Sequence, residues 1–200
     1  QQTMDCSNVQ LKFNLRESRR ALKAVGADGG IATAILLKIL YKYANNPEDN
    51  GVPTFTKLMM QLQGVLKRNG YSQVPALSSS RPVSMNDEFS VIPKHFNGTR
   101  KALIIGIGYK GAPWELPGCH NDAWNMIKYL KTVHGFEDDD FTILLDDGIQ
   151  TNPTRENIVK AFHRFAFSVK TGDAVFFHFA GHAFASYTIL TPPTRQLVSR

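Results

Sequence analysis

Cysteine is scarce in this sequence, which contains only Cys6 and Cys119 among its 200 residues. Two cysteines so far apart form neither a disulfide framework nor a cysteine-rich zinc site. A reducing compartment is the default expectation for such a chain. We therefore predict a cytoplasmic location and no bound structural metal.

Long apolar runs are also missing, since none approaches the roughly 18 residues that a membrane span requires. The first residues, "QQTMDCSN", lack the apolar core of a signal peptide. They also lack an initiator methionine, which suggests a processed chain or a fragment. We expect no membrane partner.

Concentrated charge of one sign is absent. Residues 1–93 carry 11 basic and 7 acidic side chains, and residues 94–200 carry 12 and 10. The net charge of +6 is thus spread along the chain, without the dense basic patch typical of nucleic-acid binding. We expect no nucleic-acid partner. The hydrophobic content of 42% is ordinary for a globular protein.

Two helices are predicted in the first half of the chain, over residues 29–44 and 54–69. In both, apolar residues recur at helical spacing on one face. Thr54 is a suitable cap for the start of the second helix, and Gly70 for its end. A connection rich in Ser, Pro and Asn follows, and it places a boundary near residue 94.

The second half alternates strands with helices. Three apolar runs, 101–107, 141–145 and 174–179, have the character of strands buried on both faces. The segment between the first two runs has helical periodicity, with Ala123 and Leu130 on one face. The segment between the second and third runs has it too, with Ala161 and Phe162 on one face, and Thr154 is a suitable cap for its start. This alternation predicts a parallel sheet. Functional groups then gather beyond the carboxyl ends of the strands, where the loop 108–122, the "DDG" loop 146–148 and Gly181-His182 meet.

A glycine pattern, G-x-G-x-x-G, occurs at Gly106, Gly108 and Gly111. In a dinucleotide site a helix starts at about the third glycine, and an acid follows about 20 residues later. Here two prolines come first, and Asp146 lies 35 residues after Gly111. A nucleotide- or anion-binding α/β domain is therefore only the third hypothesis.

His182 is a candidate acid–base group because it follows a glycine at the end of a strand. A turn residue is the plainer interpretation, and His178, inside the same strand, has the character of a packed core residue. Cys119 opens a helix at the same edge. A histidine can take the proton of a thiol and leave a nucleophilic thiolate.

Four segments carry a family resemblance. The stretches "RKALIIGIGYKG", "ELPGCHNDAWNM", "PTRENIVKAF" and "GDAVFFHFAGH" resemble the large-subunit-like region of metacaspases, which are caspase-related cysteine peptidases. Residues 29–40 and 53–89 are similar to the small-subunit-like region of the same family. Here the small-subunit-like region comes first, as in the type III metacaspases of algae.

The resemblance implies the fold and the domains. We expect an α/β protein, a caspase-like αβα sandwich with a mainly parallel central sheet and the permuted small-subunit region at the N-terminus. Residues 1–93 would form the small-subunit-like region and residues 94–200 a partial large-subunit-like region, together one domain.

The resemblance also implies residue roles in an endopeptidase that cleaves after Arg or Lys. His182 matches the catalytic histidine, and the amide of Gly181 matches part of the oxyanion hole. Cys119, Asp122 and Ala180 match the walls of the pocket for the basic substrate residue, although Ala180 replaces the usual serine. Asp122 could instead only stabilise the start of its helix. The implied partners are peptide substrates, and the implied assembly is a monomer.

The stretch after His182, "AFASYTILTPPTRQLVSR", contains no Cys, Asp or Glu. By the resemblance, the nucleophilic cysteine, a second pocket acid and the ligands of an activating calcium ion belong beyond this histidine. Cys119 could replace the nucleophile only from a pocket-wall position. We expect an incomplete copy of such an enzyme, or alternatively an inactive homologue with a binding or regulatory role.

Overall fold

The computed structural model describes residues 9–13, 30–46, 52–71, 74–80, 82–92 and 96–182. The first half contains the strand β1 (Val9–Phe13), the helices α1 (Ile31–Asn45) and α2 (Phe55–Arg68), and the strand β2 (Pro75–Ser79). β1 and β2 pair antiparallel. The expected boundary near residue 94 and Cys6 both lie outside the described residues.

The second half contains the three expected strands and both expected helices. They are β3 (Arg100–Gly106), α3 (Cys119–His134), β4 (Phe141–Leu145), α4 (Arg155–Ser168) and β5 (Ala174–Ala180). Within the described residues the sheet order is β4-β3-β5, and both pairings are parallel. The α/β class with a parallel sheet is therefore confirmed.

Helices cover both faces of this sheet. One core cluster joins α1, α2 and α3 to inward residues of the sheet such as Ile104 and Leu145. A smaller cluster joins Leu103, Ile105 and Leu144 to Ala161 of α4. The three layers agree with the expected αβα sandwich.

The local signals for helix ends are confirmed. The Thr54 hydroxyl accepts a hydrogen bond from the Lys57 amide at 3.2 Å, and Thr154 caps α4 in the same way through the Asn157 amide. Gly70 follows α2 with a left-handed φ of 73°, a conformation that glycine adopts without strain. Phe162 differs from the expectation: it is 40% exposed because it packs on Phe177 of the edge strand β5 rather than in the core.

The register of the sheet places the carboxyl ends of the three strands side by side. Gly106 of β3 pairs with Leu145 of β4 on one side and with Ala180 of β5 on the other. The chain therefore leaves all three strands at one edge, and the amide of Ile107 donates to the carbonyl of Ala180 at 2.8 Å. This edge carries the candidate site.

Candidate active site

His182 lies two residues beyond the end of β5, at the carboxyl edge of the sheet. Its Nε2 is 2.7 Å from the carbonyl oxygen of Trp114, in the loop that follows β3. A carbonyl only accepts hydrogen bonds, so Nε2 carries the proton and donates it. In the neutral ring, Nδ1 is then the basic nitrogen.

Tyr109 holds His182 from the same loop. The two ring centroids are 5.1 Å apart, and the Tyr109 hydroxyl hydrogen-bonds to the backbone of His182. Burial raises the pKa of Tyr109, and this hydrogen bond offsets only part of the rise. A Cβ added to the buried Gly181 would lie 3.0 Å from the Phe179 ring and 3.5 Å from the Tyr109 hydroxyl, so the site packs closely around this glycine.

Asp122 lies in the first turn of α3 and is 7% exposed. Its Oδ1 accepts a hydrogen bond from the Gly30 amide at 2.6 Å, and the side chain of Thr33 supplies another. Burial raises the pKa of Asp122 to about 6, although both hydrogen bonds act to lower it. The expected pocket acid therefore also joins the first turn of α3 to the start of α1.

Cys119 begins α3 and is buried. Burial, together with the neighbouring charges of Asp122 and Asp146, raises the pKa of its thiol to about 12. A helix start favours the charged thiolate, but desolvation and these carboxylates outweigh that effect. Cys119 is thus a buried residue with a thiol that stays protonated at neutral pH, and Ala180 is buried as well.

Sequence reasoning missed a cluster around Asp146. Its carboxylate accepts from the amides of Gly108 and Tyr109, both at 2.7 Å, and lies 2.5 Å from Nε2 of His120. Burial acts to raise the pKa of Asp146, but these hydrogen bonds and the charge of His120 lower it below its usual value. The "DDG" loop was placed at this edge, but no pattern indicated which groups its acids bind.

The glycine-rich turn does not resemble a phosphate cradle. The amides of Gly108 and Tyr109 already bind Asp146, and that of Gly111 binds Oε2 of Glu115 at 3.0 Å. The next helix begins only at Cys119. These contacts count against the nucleotide-binding hypothesis, since phosphate binding needs unoccupied amides at a helix start.

The described part of the chain lacks both a cluster of metal ligands and a membrane-spanning helix. No group of three or more His, Cys, Asp and Glu side chains there is arranged to hold a metal ion. The described residues therefore do not form a calcium site, and the resemblance places the ligands of that site beyond His182. Nor does any helix in the described ranges have the length and hydropathy to cross a membrane.

Comparison with known proteins identifies the family. Residues 100–189 match the family model for the metacaspase, peptidase C14 domain. Metacaspase III c of Phaeodactylum tricornutum is 43% identical over 183 residues, which are 91% of this chain. The chain belongs to the metacaspase family.

Fungal metacaspases match shorter stretches. Metacaspase-1A of Aspergillus oryzae is 35% identical over 69% of this chain, and Metacaspase-1 of Sclerotinia sclerotiorum is 44% identical over 42% of it. The chain spans 52% of the Phaeodactylum metacaspase and 35% and 20% of these two. The stretch matched by the family model includes Cys119, Asp122 and His182, so all three lie within the metacaspase domain.

Proposed function

We propose that this chain is part of a metacaspase-type cysteine endopeptidase that cleaves after Arg or Lys, with His182 as its general acid–base group. The observation that carries the proposal is the 2.7 Å hydrogen bond from His182 Nε2 to the Trp114 carbonyl, within a matched metacaspase domain. This bond orients the imidazole and fixes which nitrogen carries the proton.

In the proposed reaction His182 takes the proton of a cysteine thiol, and the thiolate adds to the carbonyl carbon of the substrate. The peptide C–N bond then breaks as His182 passes that proton to the departing amine. Water hydrolyses the resulting thioester, which releases the carboxylic acid and restores the thiol. The backbone amide of Gly181 is the proposed donor to the negative charge that develops on the carbonyl oxygen. Cys119 is poorly suited as the nucleophile because its thiol is buried and its pKa is raised to about 12. We assign it to the pocket wall with Ala180.

Asp122 is the proposed partner of the basic substrate residue. With a pKa of about 6, it is mostly ionised at neutral pH and can pair with a guanidinium or an ammonium group. The hydrogen bonds from Gly30 and Thr33 hold the carboxylate in place before a substrate arrives. A positioned carboxylate loses less side-chain entropy on binding.

A second candidate is an inactive homologue that binds peptides or regulates an active metacaspase. The observation that favours it is again Cys119, since the single cysteine among the described residues is buried and protonated at neutral pH. This candidate retains the Asp122 pocket and needs no thiolate. The two candidates therefore predict different turnover of a peptide substrate but the same binding of it.

Peptide assays separate the candidates. The purified chain, and the protein encoded by its complete source transcript, are each incubated, with and without calcium, with a fluorogenic peptide ending in Arg and a matched peptide ending in Asp. Because Cys119 is buried and no cysteine follows His182 in this sequence, the peptidase proposal expects no turnover by this chain alone. It expects the complete protein to turn over the Arg peptide, with activity lost in His182→Ala and kept in Cys119→Ala. Binding of the Arg peptide by the complete protein without turnover, lost in Asp122→Asn, would favour the binding role. Neither binding nor turnover would refute both.

The arrangement of the whole protein is also proposed. Similarity to Metacaspase III c over 91% of the chain supports a small-subunit-like region that precedes the large-subunit-like region. The cytoplasmic location and the absence of nucleic-acid and membrane partners stay predictions from the sequence, and the monomeric state stays a prediction from the resemblance.

A further inference from the structure

We infer that Asp146 is a positioning residue for His182, acting through the turn at Gly108-Tyr109 without touching the imidazole. The inference rests on the proposed role of His182. Its first support is the location of Asp146, directly after β4, where Leu145 pairs with Gly106 at the end of β3. Asp146 thus lies beside the start of the loop that carries the contacts of His182.

The carboxylate fixes the backbone of that loop. Oδ1 accepts from the Gly108 amide and Oδ2 from the Tyr109 amide, both at 2.7 Å. Tyr109 has a φ of 54°, a left-handed conformation that is uncommon for a residue other than glycine. Such a conformation persists where the surroundings hold it. The two hydrogen bonds that Asp146 accepts supply that restraint.

The same loop provides two contacts to His182. Tyr109 contributes its ring and its hydroxyl, and Trp114 contributes the carbonyl that accepts from Nε2. Hydrogen bonds from the Leu116 amide to the Gly108 carbonyl and from the Ala112 amide to the Tyr109 carbonyl close the loop between these contacts. A rotation at Tyr109 would therefore displace both groups that orient the imidazole.

His120 completes the arrangement. Its Nε2 lies 2.5 Å from Oδ1 of Asp146, so the carboxylate is held from α3 as well as from β4. The amides of the turn and the ring of His120 donate to the carboxylate from different elements, and together they keep it oriented toward the turn. The side chain of Asp146 thereby links α3, β4 and the loop after β3.

The chain offers a matched control in Asp147. This neighbour accepts hydrogen bonds from the amides of Ile149 and Gln150, within its own turn. Asp147→Asn removes the same charge one residue away. Asp146→Asn also removes a charge, but in addition it replaces one acceptor oxygen with an NH2 group, which cannot accept a hydrogen bond from the amides of the turn.

The test is nitrogen-15 NMR of the histidine rings in the full chain at pH 8, with the His182 signals assigned from a His182→Gln sample. In the wild type we expect the neutral His182 to be protonated at Nε2. In Asp146→Asn we expect loss of this preference, seen as movement of both ring nitrogen shifts toward the average of the two tautomers. In Asp147→Asn we expect the wild-type shifts.

Unchanged His182 signals in a folded Asp146→Asn variant, or equal shifts in both variants, would overturn the inference. If Asp146→Asn does not fold, Asp146→Glu provides the second variant, because it keeps the charge but moves the carboxylate out of register with the amides of Gly108 and Tyr109. There the inference requires displaced His182 shifts, and unchanged shifts would contradict it. Because the readout needs no substrate, its failure is distinct from the absence of peptidase activity.

Discussion

At the scale of single residues, burial determines the chemistry of this edge more than helix position does. Cys119 and Asp122 both lie in the first turn of α3, where a helix start favours negative charge. Nevertheless, burial raises both pKa values, to about 12 for the thiol and about 6 for the carboxyl. Hence only the carboxyl is charged at neutral pH.

The Cys119 thiol should be nearly inert in the native protein. With a pKa of about 12, its thiolate fraction at pH 7.5 is below about one in ten thousand, and only the thiolate reacts. We expect alkylation by iodoacetamide to be at least about 100-fold slower than in urea. Peptide mass spectrometry distinguishes Cys119 from Cys6. Equal rates for Cys119 in both conditions would show an activated thiol.

Asp122 should make stability depend on pH. Its pKa is raised from 3.8 to about 6 on folding, so its contribution is fully present below pH 3.8 and is lost as the pH rises through 6. Relative to Asp122→Asn, the wild type should lose up to about 3 kcal/mol of unfolding free energy between pH 4 and 7. Urea unfolding of both proteins at four pH values measures this difference. If the unfolding free energies of the wild type and Asp122→Asn change with pH in parallel, the raised pKa of Asp122 is contradicted.

At the scale of elements, the junction between α1 and α3 depends on a glycine. Gly30 precedes α1 and donates its amide to Asp122, and a Cβ at this position would overlap the Asp122 carboxylate. In contrast, Gly64 lies inside α2, where a Cβ would meet only the flexible end of Arg68 at 3.2 Å. Substitution by alanine should therefore change the stability of the protein in opposite directions at these two glycines.

Gly30→Ala should destabilise the protein by about 1–3 kcal/mol, because it displaces the Asp122 carboxylate and breaks its hydrogen bond. Gly64→Ala should instead stabilise the protein by up to about 1 kcal/mol, because alanine is the better residue inside a helix. Chemical denaturation of both variants tests the pair. Stabilisation by Gly30→Ala would show that the junction contributes nothing.

The elements themselves were predictable because their signals are local. The helical periodicity around Leu36 and Leu62, the caps at Thr54 and Thr154, and the apolar strands are each contained within about 15 residues. The contacts of the site are not local: Gly30 and Asp122 are 92 residues apart, and His120 and Asp146 are 26 apart. Periodicity identifies which face is buried, but it does not specify which polar group meets another across two elements.

At the scale of the whole molecule, the two regions share one core. The larger core cluster contains Leu62 of α2 together with Leu130 of α3 and Ile104 of β3. Regions that share a core are expected to unfold together. This sharing supports the prediction that residues 1–93 and 94–200 form one domain.

Leu62→Ala tests that prediction, because Leu62 is fully buried in the small-subunit-like region. The truncation should cost about 2–5 kcal/mol. Both tryptophans, Trp114 and Trp124, lie in the other region, so their fluorescence reports its unfolding separately. In a single domain, Leu62→Ala lowers the melting temperature seen by fluorescence as much as that seen by circular dichroism. A fluorescence transition that stays at the wild-type temperature would mean two independent domains. In that case the hydrogen bond from Gly30, at the start of α1, would not keep Asp122 in a fixed position.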